Sequence, residues 1–269
     1  MALVTERDLA NTFATQRGLT PWERVQQYRE VKSYASRHPD KGSSAVASAL
    51  ELPRGRIRSW VDSDGKPDPV RAIDRARKHG WLDIAPGTDT ASGLIKLVAW
   101  IYSGGSIADT NYTPSFAIRR TDTGPDTIDL TVIETAFDEF GATPTVIQRE
   151  EGRAVEVRVE GNPTLVGRVL AAAGAPVGEK ADQDDLTLPG WLDDVYRFHQ
   201  REFARIYLLN RATERDHSAS YRYGIREVRS KTYLDDLTQF LTQLAGDDGI
   251  SRYGRNIILS EHAISNLVD

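Results

Sequence analysis

The chain of 269 residues has no cysteine, one methionine and only seven lysines. Without a thiol, disulfide frameworks, thiolate–zinc sites, iron–sulfur clusters and cysteine nucleophiles are excluded. No apolar run approaches the roughly 18 residues that a membrane span needs, and the opening Met-Ala-Leu-Val-Thr-Glu lacks a charged-then-apolar secretory pattern. These absences predict a cytoplasmic protein with no membrane partner. A Walker P-loop, a GxSxG elbow, an HExxH helix and a dinucleotide fingerprint are missing too, so no cofactor is implied. The five histidines, His38, His79, His199, His217 and His262, stand singly without ligand spacing and are expected at the surface or at helix ends.

What is present is globular: 39% hydrophobic and 27% charged residues, in a chain long enough for one large or two modest domains. Arginine outnumbers lysine 27 to 7 and aspartate outnumbers glutamate 24 to 15, the pattern of a salt-adapted, archaeal or GC-rich source. The net charge of −5 is unevenly spread. Residues 17–80 carry +6, residues 81–195 carry −11 and residues 196–269 carry +1. The basic block is the candidate for meeting a polyanion.

In that block, Thr20-Pro21-Trp22-Glu23 supplies an N-cap, a first-turn proline and a capping glutamate, with Val25, Tyr28, Val31, Tyr34 and Ala35 following on one helical face. An alanine-rich helix over 44–50 is broken by Glu51-Leu52-Pro53, and a helix from Arg54 to Val61 turns Ile57, Trp60 and Val61 inward. Arg54, Arg56, Arg58 and Ser59 are expected to point outward. This is the outline of a helix-turn-helix, in which a small-residue helix braces a second one carrying donors for phosphates and base edges. A further helix begins at Asp68-Pro69, and residues 86–93 read as a linker that ends a helical domain over 1–85.

Beyond it the pattern runs twice through helix, strand, helix, hairpin, helix: first over 94–175, then, after a connector at 176–192, over 193–269. The stretch Leu97-Val98-Ala99-Trp100-Ile101-Tyr102-Ser103-Gly104-Gly105-Ser106 resembles the signature helix of the LAGLIDADG homing endonucleases. Phe203-Ala204-Arg205-Ile206-Tyr207-Leu208-Leu209-Asn210-Arg211-Ala212 is similar but more eroded, and Gly174 to Lys180 with Leu188 to Leu192 resembles the usual inter-repeat connection.

The resemblance implies two side-by-side helices flanked by four-stranded saddles along the DNA major groove, with an acidic residue ending each helix to hold divalent metal. This sequence departs from it. Gly104 takes the first acidic position, and Arg211 or, one register away, Asn210 takes the second; none of them offers the anionic oxygen that magnesium needs. Asp109 and Glu214 follow the two helices closely and are read as loop carboxylates. The second saddle offers Arg222, Arg226 and Arg229, with Arg252 and Asn256 placed together on the last hairpin. The first offers Ser115, Arg119 and Arg158 beside Glu156 and Glu160.

The expected fold class is therefore α+β, an N-terminal all-α helix-turn-helix domain followed by a tandem LAGLIDADG-like pseudo-dimer. The combination resembles the bacterial sporulation regulators, whose helix-turn-helix lies after the nuclease-like part. The expected function is a sequence-specific regulator that binds double-stranded DNA without cutting it and engages the transcription machinery. The alternatives are a metal-dependent endonuclease with relocated acids and an RNA-binding maturase or transcription adaptor.

Overall fold

The computed structural model describes residues 2–16, 18–118, 124, 129–147, 155–215, 221–246 and 249–268. Among them the chain is mixed α+β, with eleven α-helices and two four-stranded antiparallel sheets. It divides into two compact units, Val4–Asp83 and the remainder from Ile84 on with the first three residues. No described helix is long and apolar enough to cross a membrane.

The smaller unit is helical. Its first helix α1 (Glu6–Asn11), absent from the sequence reading, starts from a reciprocal capping box between Thr5 and Asp8. The Thr20–Glu23 box and Pro21 start α2 (Pro21–Arg37), which buries Val25, Tyr28 and Val31. The short helix α3 (Ser43–Ala49) and α4 (Arg54–Asp62) follow, then α5 (Asp68–Lys78). Between α3 and α4, Glu51 adopts φ +52° and the Leu52 amide donates to the Ala47 carbonyl at 3.0 Å, the six-to-one bond that ends a helix in a sharp turn. Asp62 at the far end of α4 accepts from both the Ser43 amide (3.2 Å) and the Ser43 hydroxyl (2.7 Å), so it caps the start of α3. Those bonds hold the Asp62 carboxyl below its usual range. Ile57 and Trp60 are buried, the Trp60 ring standing edge-on to Tyr28 at 5.6 Å.

The larger unit repeats one order of elements. Its first half is α6 (Asp89–Ser103), β1 (Gly105–Ile107), β2 (Pro114–Ile118), α7 (Leu130–Phe140), β3 (Pro144–Ile147), β4 (Val155–Val159) and α8 (Pro163–Ala172). Its second is α9 (Arg197–Arg211), β5 (Thr213–Glu214), β6 (Tyr223–Arg226), α10 (Lys231–Ala245), β7 (Ile250–Tyr253), β8 (Asn256–Leu259) and α11 (Glu261–Val268). The sheets run β1-β2-β4-β3 and β5-β6-β8-β7. In each, alternate residues such as Phe116, Val157, Ile225 and Ile257 are buried, leaving the other face open.

Three boundaries differ from expectation. The supposed linker over 86–93 is largely helix, because Thr88 caps α6 and Asp89 enters its first turn. Gly93, part of what looked like a flexible segment, is a packing residue: a Cβ there would stand 2.3 Å from the Phe140 amide nitrogen of α7. Short strands β1 and β5 directly follow α6 and α9, where the sequence suggested loops. The start expected for α9 at Asp193 is instead a single 3-10 turn over Gly190–Asp193. The Glu151-Gly152 turn, the start expected for α7 at Pro125, and Arg119 lie outside the described residues.

α6 is buried almost all round, from Leu94 to Ser103, and packs lengthwise on α9. Polar contacts cross between them at both ends. Lys96 bridges Glu139 of α7 (2.7 Å) and Glu202 of α9 (3.0 Å), and Asn210 donates to the Ser103 hydroxyl at 3.0 Å. His199, expected near the surface, is fully buried. Its Nε2 accepts from the Gly87 amide at 3.0 Å and its Nδ1 lies 2.8 Å from Glu202, so the carboxylate and the backbone together satisfy the ring.

Candidate nucleic-acid interface

Three regions gather the residues singled out in the sequence. On α4, Arg58 is exposed and only 3.9 Å from Asp62, whose oxygens are already engaged by Ser43, while Ser59 is exposed beside it. Arg54 is exposed as well, its Nε 3.5 Å from the Ser43 hydroxyl. Arg56 corrects the expectation of three outward arginines. Two positions along a helix is a rotation of about 200°, so Arg56 turns from the Arg54–Arg58 face and donates to Gln27 of α2 at 3.2 Å.

The foot of the paired helices α6 and α9 is the second region. Gly104 ends α6, and Asn210, not Arg211, faces it: a Cβ on Gly104 would lie 2.9 Å from Asn210 Oδ1 and 3.2 Å from the Ala117 carbonyl oxygen. The buried Asn210 Oδ1 has no hydrogen-bond partner among the described residues. Arg211 turns away, into its own half, and grips the fully buried Glu227 through Nε at 2.8 Å and a second nitrogen at 3.0 Å. The Tyr207 hydroxyl also donates to Glu227 at 2.7 Å, and Tyr233 donates in turn to Tyr207 at 3.1 Å.

Opposite them, the ammonium of Lys180 from the connector donates to the Ile101 and Gly105 carbonyls, each at 2.6 Å, at the end of α6. Burial and the nearby charge of Arg229 push Lys180 down to about 8, against the pull of Glu227. A divalent metal pair does not fit this donor set: one position has no side chain, the other has one neutral oxygen, and an ammonium shares the foot. Asp109 stands exposed in its loop, Glu214 is bound to Arg222 at 2.9 Å, and among the described residues no three His, Asp or Glu side chains form a metal-ligating group.

The open faces of the sheets are the third region. Strand register aligns them position by position. Ala117 pairs Glu156 and Glu156 pairs Ile147 across the first sheet; in the second the matching row is Arg226, Asn256 and Tyr253. In the first, Glu156 takes the Ser115 hydroxyl at 2.7 Å and Arg158 Nε at 2.8 Å, so a carboxylate stands against both donor groups. In the second, Arg226, Asn256 and Tyr253 are exposed, Tyr253 at 81%, and Arg215 lies over Gly224 with no carboxylate among the lining residues.

The remaining arginines do not join that row. Arg252 was expected to share a face with Asn256, but it pairs with buried Ile257 on the helix-covered side and binds Asp235 of α10 at 2.5 Å. A hairpin side chain one register step away emerges on the other face. Arg222 precedes β6 and is held by Glu214 and Glu261. Arg229 folds inward beside Glu227, its side chain only 11% exposed. Sequence reasoning missed Lys180, Glu227, Arg215 and Tyr253. For Tyr253 the signal was available in the alternation of Ile250, Arg252, Ile257 and Leu259.

No family model and no curated protein matches the chain. Among solved structures, full-length DUF199/WhiA from Thermatoga maritima is similar over 71% of this chain and 59% of its own length, at 11% identity and a TM-score of 0.41. The chain thus spans less than two thirds of that protein.

Proposed function

We propose that this protein is a sequence-specific regulator that grips double-stranded DNA without cutting it. The observation that carries the reading is the open row of Arg226, Asn256 and Tyr253 with Arg215, a set of exposed donors with no carboxylate among them, in a chain whose net charge is negative. Arginine and asparagine are the side chains that make two-pronged hydrogen bonds to guanine and adenine edges in the major groove. Arg54, Arg58 and Ser59 on α4 supply a second set of donors, on a helix braced through a tight turn by α3 as in a helix-turn-helix. The absence of cleavage is supported by the foot of α6 and α9, where Gly104 and Asn210 stand where the LAGLIDADG resemblance would require metal-binding acids and the Lys180 ammonium caps the end of α6.

The test is selection of duplexes from a random-sequence pool by the full chain, followed by incubation of the selected duplex with magnesium or manganese. A recovered motif whose binding is weakened in Arg226→Ala and in Arg58→Ala, with the duplex intact, is the expected result. Recovery of no motif overturns specific regulation, and metal-dependent cutting at the motif overturns the non-cutting reading.

A further inference from the structure

An open cleft of about 530 Å³ lies at the start of α10, and it shares no lining residue with the Arg226–Asn256–Tyr253 face. Four cations line it, Arg229, Lys231, Arg252 and Arg255, against one carboxylate, Asp184. Arg252 is committed to Asp235, whereas Lys231 and Arg255 are exposed and have no ion-pair partner among the described residues. Arg229 is the telling member: one terminal nitrogen donates to the Val228 carbonyl at 3.0 Å and another lies 3.8 Å from Glu227, but its buried Nε has no hydrogen-bond acceptor among the described residues. A buried donor left unmade is costly, so an acceptor that reached Arg229 from the cleft would relieve it.

Two further features agree. The Ser230 hydroxyl caps α10 by accepting from the Tyr233 amide at 3.2 Å, and the Lys231 and Thr232 amides, the first of the helix, have no acceptor within it. Val228, 51% exposed, and Leu234 add an apolar wall. Cavities that take small molecules span roughly 300–1,000 Å³, and a bare phosphate would leave most of this one empty.

We propose that this cleft binds a phosphate group carried on a body of nucleotide size, with the phosphate on Arg229, Lys231 and Arg255 and the body against Val228. Such a group arrives either as a free nucleotide or as one unit of a nucleic-acid strand. The full chain is titrated with ADP, with inorganic phosphate and with a short random-sequence duplex, following the Arg229 Nε–H and the Lys231 and Thr232 amides by NMR and the affinity by calorimetry.

Saturable shifts of those three signals by ADP, and weaker ones by phosphate, identify a free nucleotide. The same shifts with the duplex alone identify a strand, and either result supports the site. The exposed pair Lys231→Ala and Arg255→Ala, combined, is expected to weaken the active probe at least about tenfold. No saturable shift with any probe, or an unchanged affinity in the double variant, overturns the proposal. The reading of the sheet face falls separately, through an Arg226→Ala variant that keeps full affinity for its selected duplex.

Discussion

The two sheets of the larger unit share strand order and register, and their open faces are chemically opposite. Where the first has Ala117, Glu156 and Ile147, the second has Arg226, Asn256 and Tyr253. A single carboxylate makes most of the difference, because Glu156 engages both Ser115 and Arg158 and turns a potential contact surface in on itself. The feet of the two helices diverge in the same way. The end of α6 is closed by the Lys180 ammonium on backbone carbonyls, and the end of α9 by Arg211 on the buried Glu227. Duplicated topology thus fixes where residues stand, and single charged positions decide what each half can touch.

The comparison is broken most severely at Glu227. Glu227→Gln leaves Arg211 and Arg229 without their buried counter-charge and should destabilise the fold by about 3–5 kcal/mol in thermal or urea unfolding. Equal melting of the variant and wild type would show that the foot of α9 does not depend on this charge.

Next comes pH. Lys180 is pushed from its ordinary 10.5 to about 8 in the fold, so between those values the unfolded chain holds more protons and stability rises with pH. The gain is up to roughly 3 kcal/mol across the window. Above pH 10 the buried Tyr102, Tyr207 and Tyr233, whose hydroxyls burial holds well above their ordinary value, reverse the trend. The melting temperature should therefore climb from pH 8 and then fall, and Lys180→Met should flatten the climb.

On the open faces the effects are smaller. Arg226→Ala and Asn256→Ala should each remove about 1–3 kcal/mol of discrimination between the selected duplex and its single-base variants, read by fluorescence anisotropy. Their melting should shift by less than about 0.5 kcal/mol, since both are exposed. Smallest is Glu156→Gln, which should change stability by less than about 1 kcal/mol while releasing Ser115 and Arg158. If Arg158 then meets a phosphate, the log–log salt slope steepens by about 0.9. An unaltered slope would place the first sheet away from the DNA.

Much of the architecture was legible in the sequence because it rests on local signals. Capping boxes, prolines and the 3.6-residue recurrence of apolar residues mark α2, α4 and α10, and the repeat of elements is audible in their order. The strands β1 and β5 were not, because three and two residues after a helix carry no alternation to read. The linker over 86–93 misled because small polar residues suit both a loop and a helix pressed against Phe140. At the candidate site, Arg54, Arg58, Arg226 and Asn256 were visible as residue types in the right segments. Arg56, Arg222, Arg229 and Arg252 were named for the same reason and stand elsewhere, since partners such as Gln27, Glu261, Glu227 and Asp235 are set by folding and not by spacing. Asn210 and Arg211 were equivalent in sequence; only packing against Gly104 separates them.

Gly104 also couples the ends of the two helices. A side chain at that position meets Asn210 Oδ1 at 2.9 Å and the Ala117 carbonyl at 3.2 Å, and the second of these is backbone that cannot rotate away. A larger side chain there crowds the Asn210 amide and presses on the Ala117 carbonyl, so Asn210, the movable partner, has to swing aside and strain its bond to the Ser103 hydroxyl. The foot thus acts as a tight joint, in which a bulkier residue on α6 is felt at once on α9.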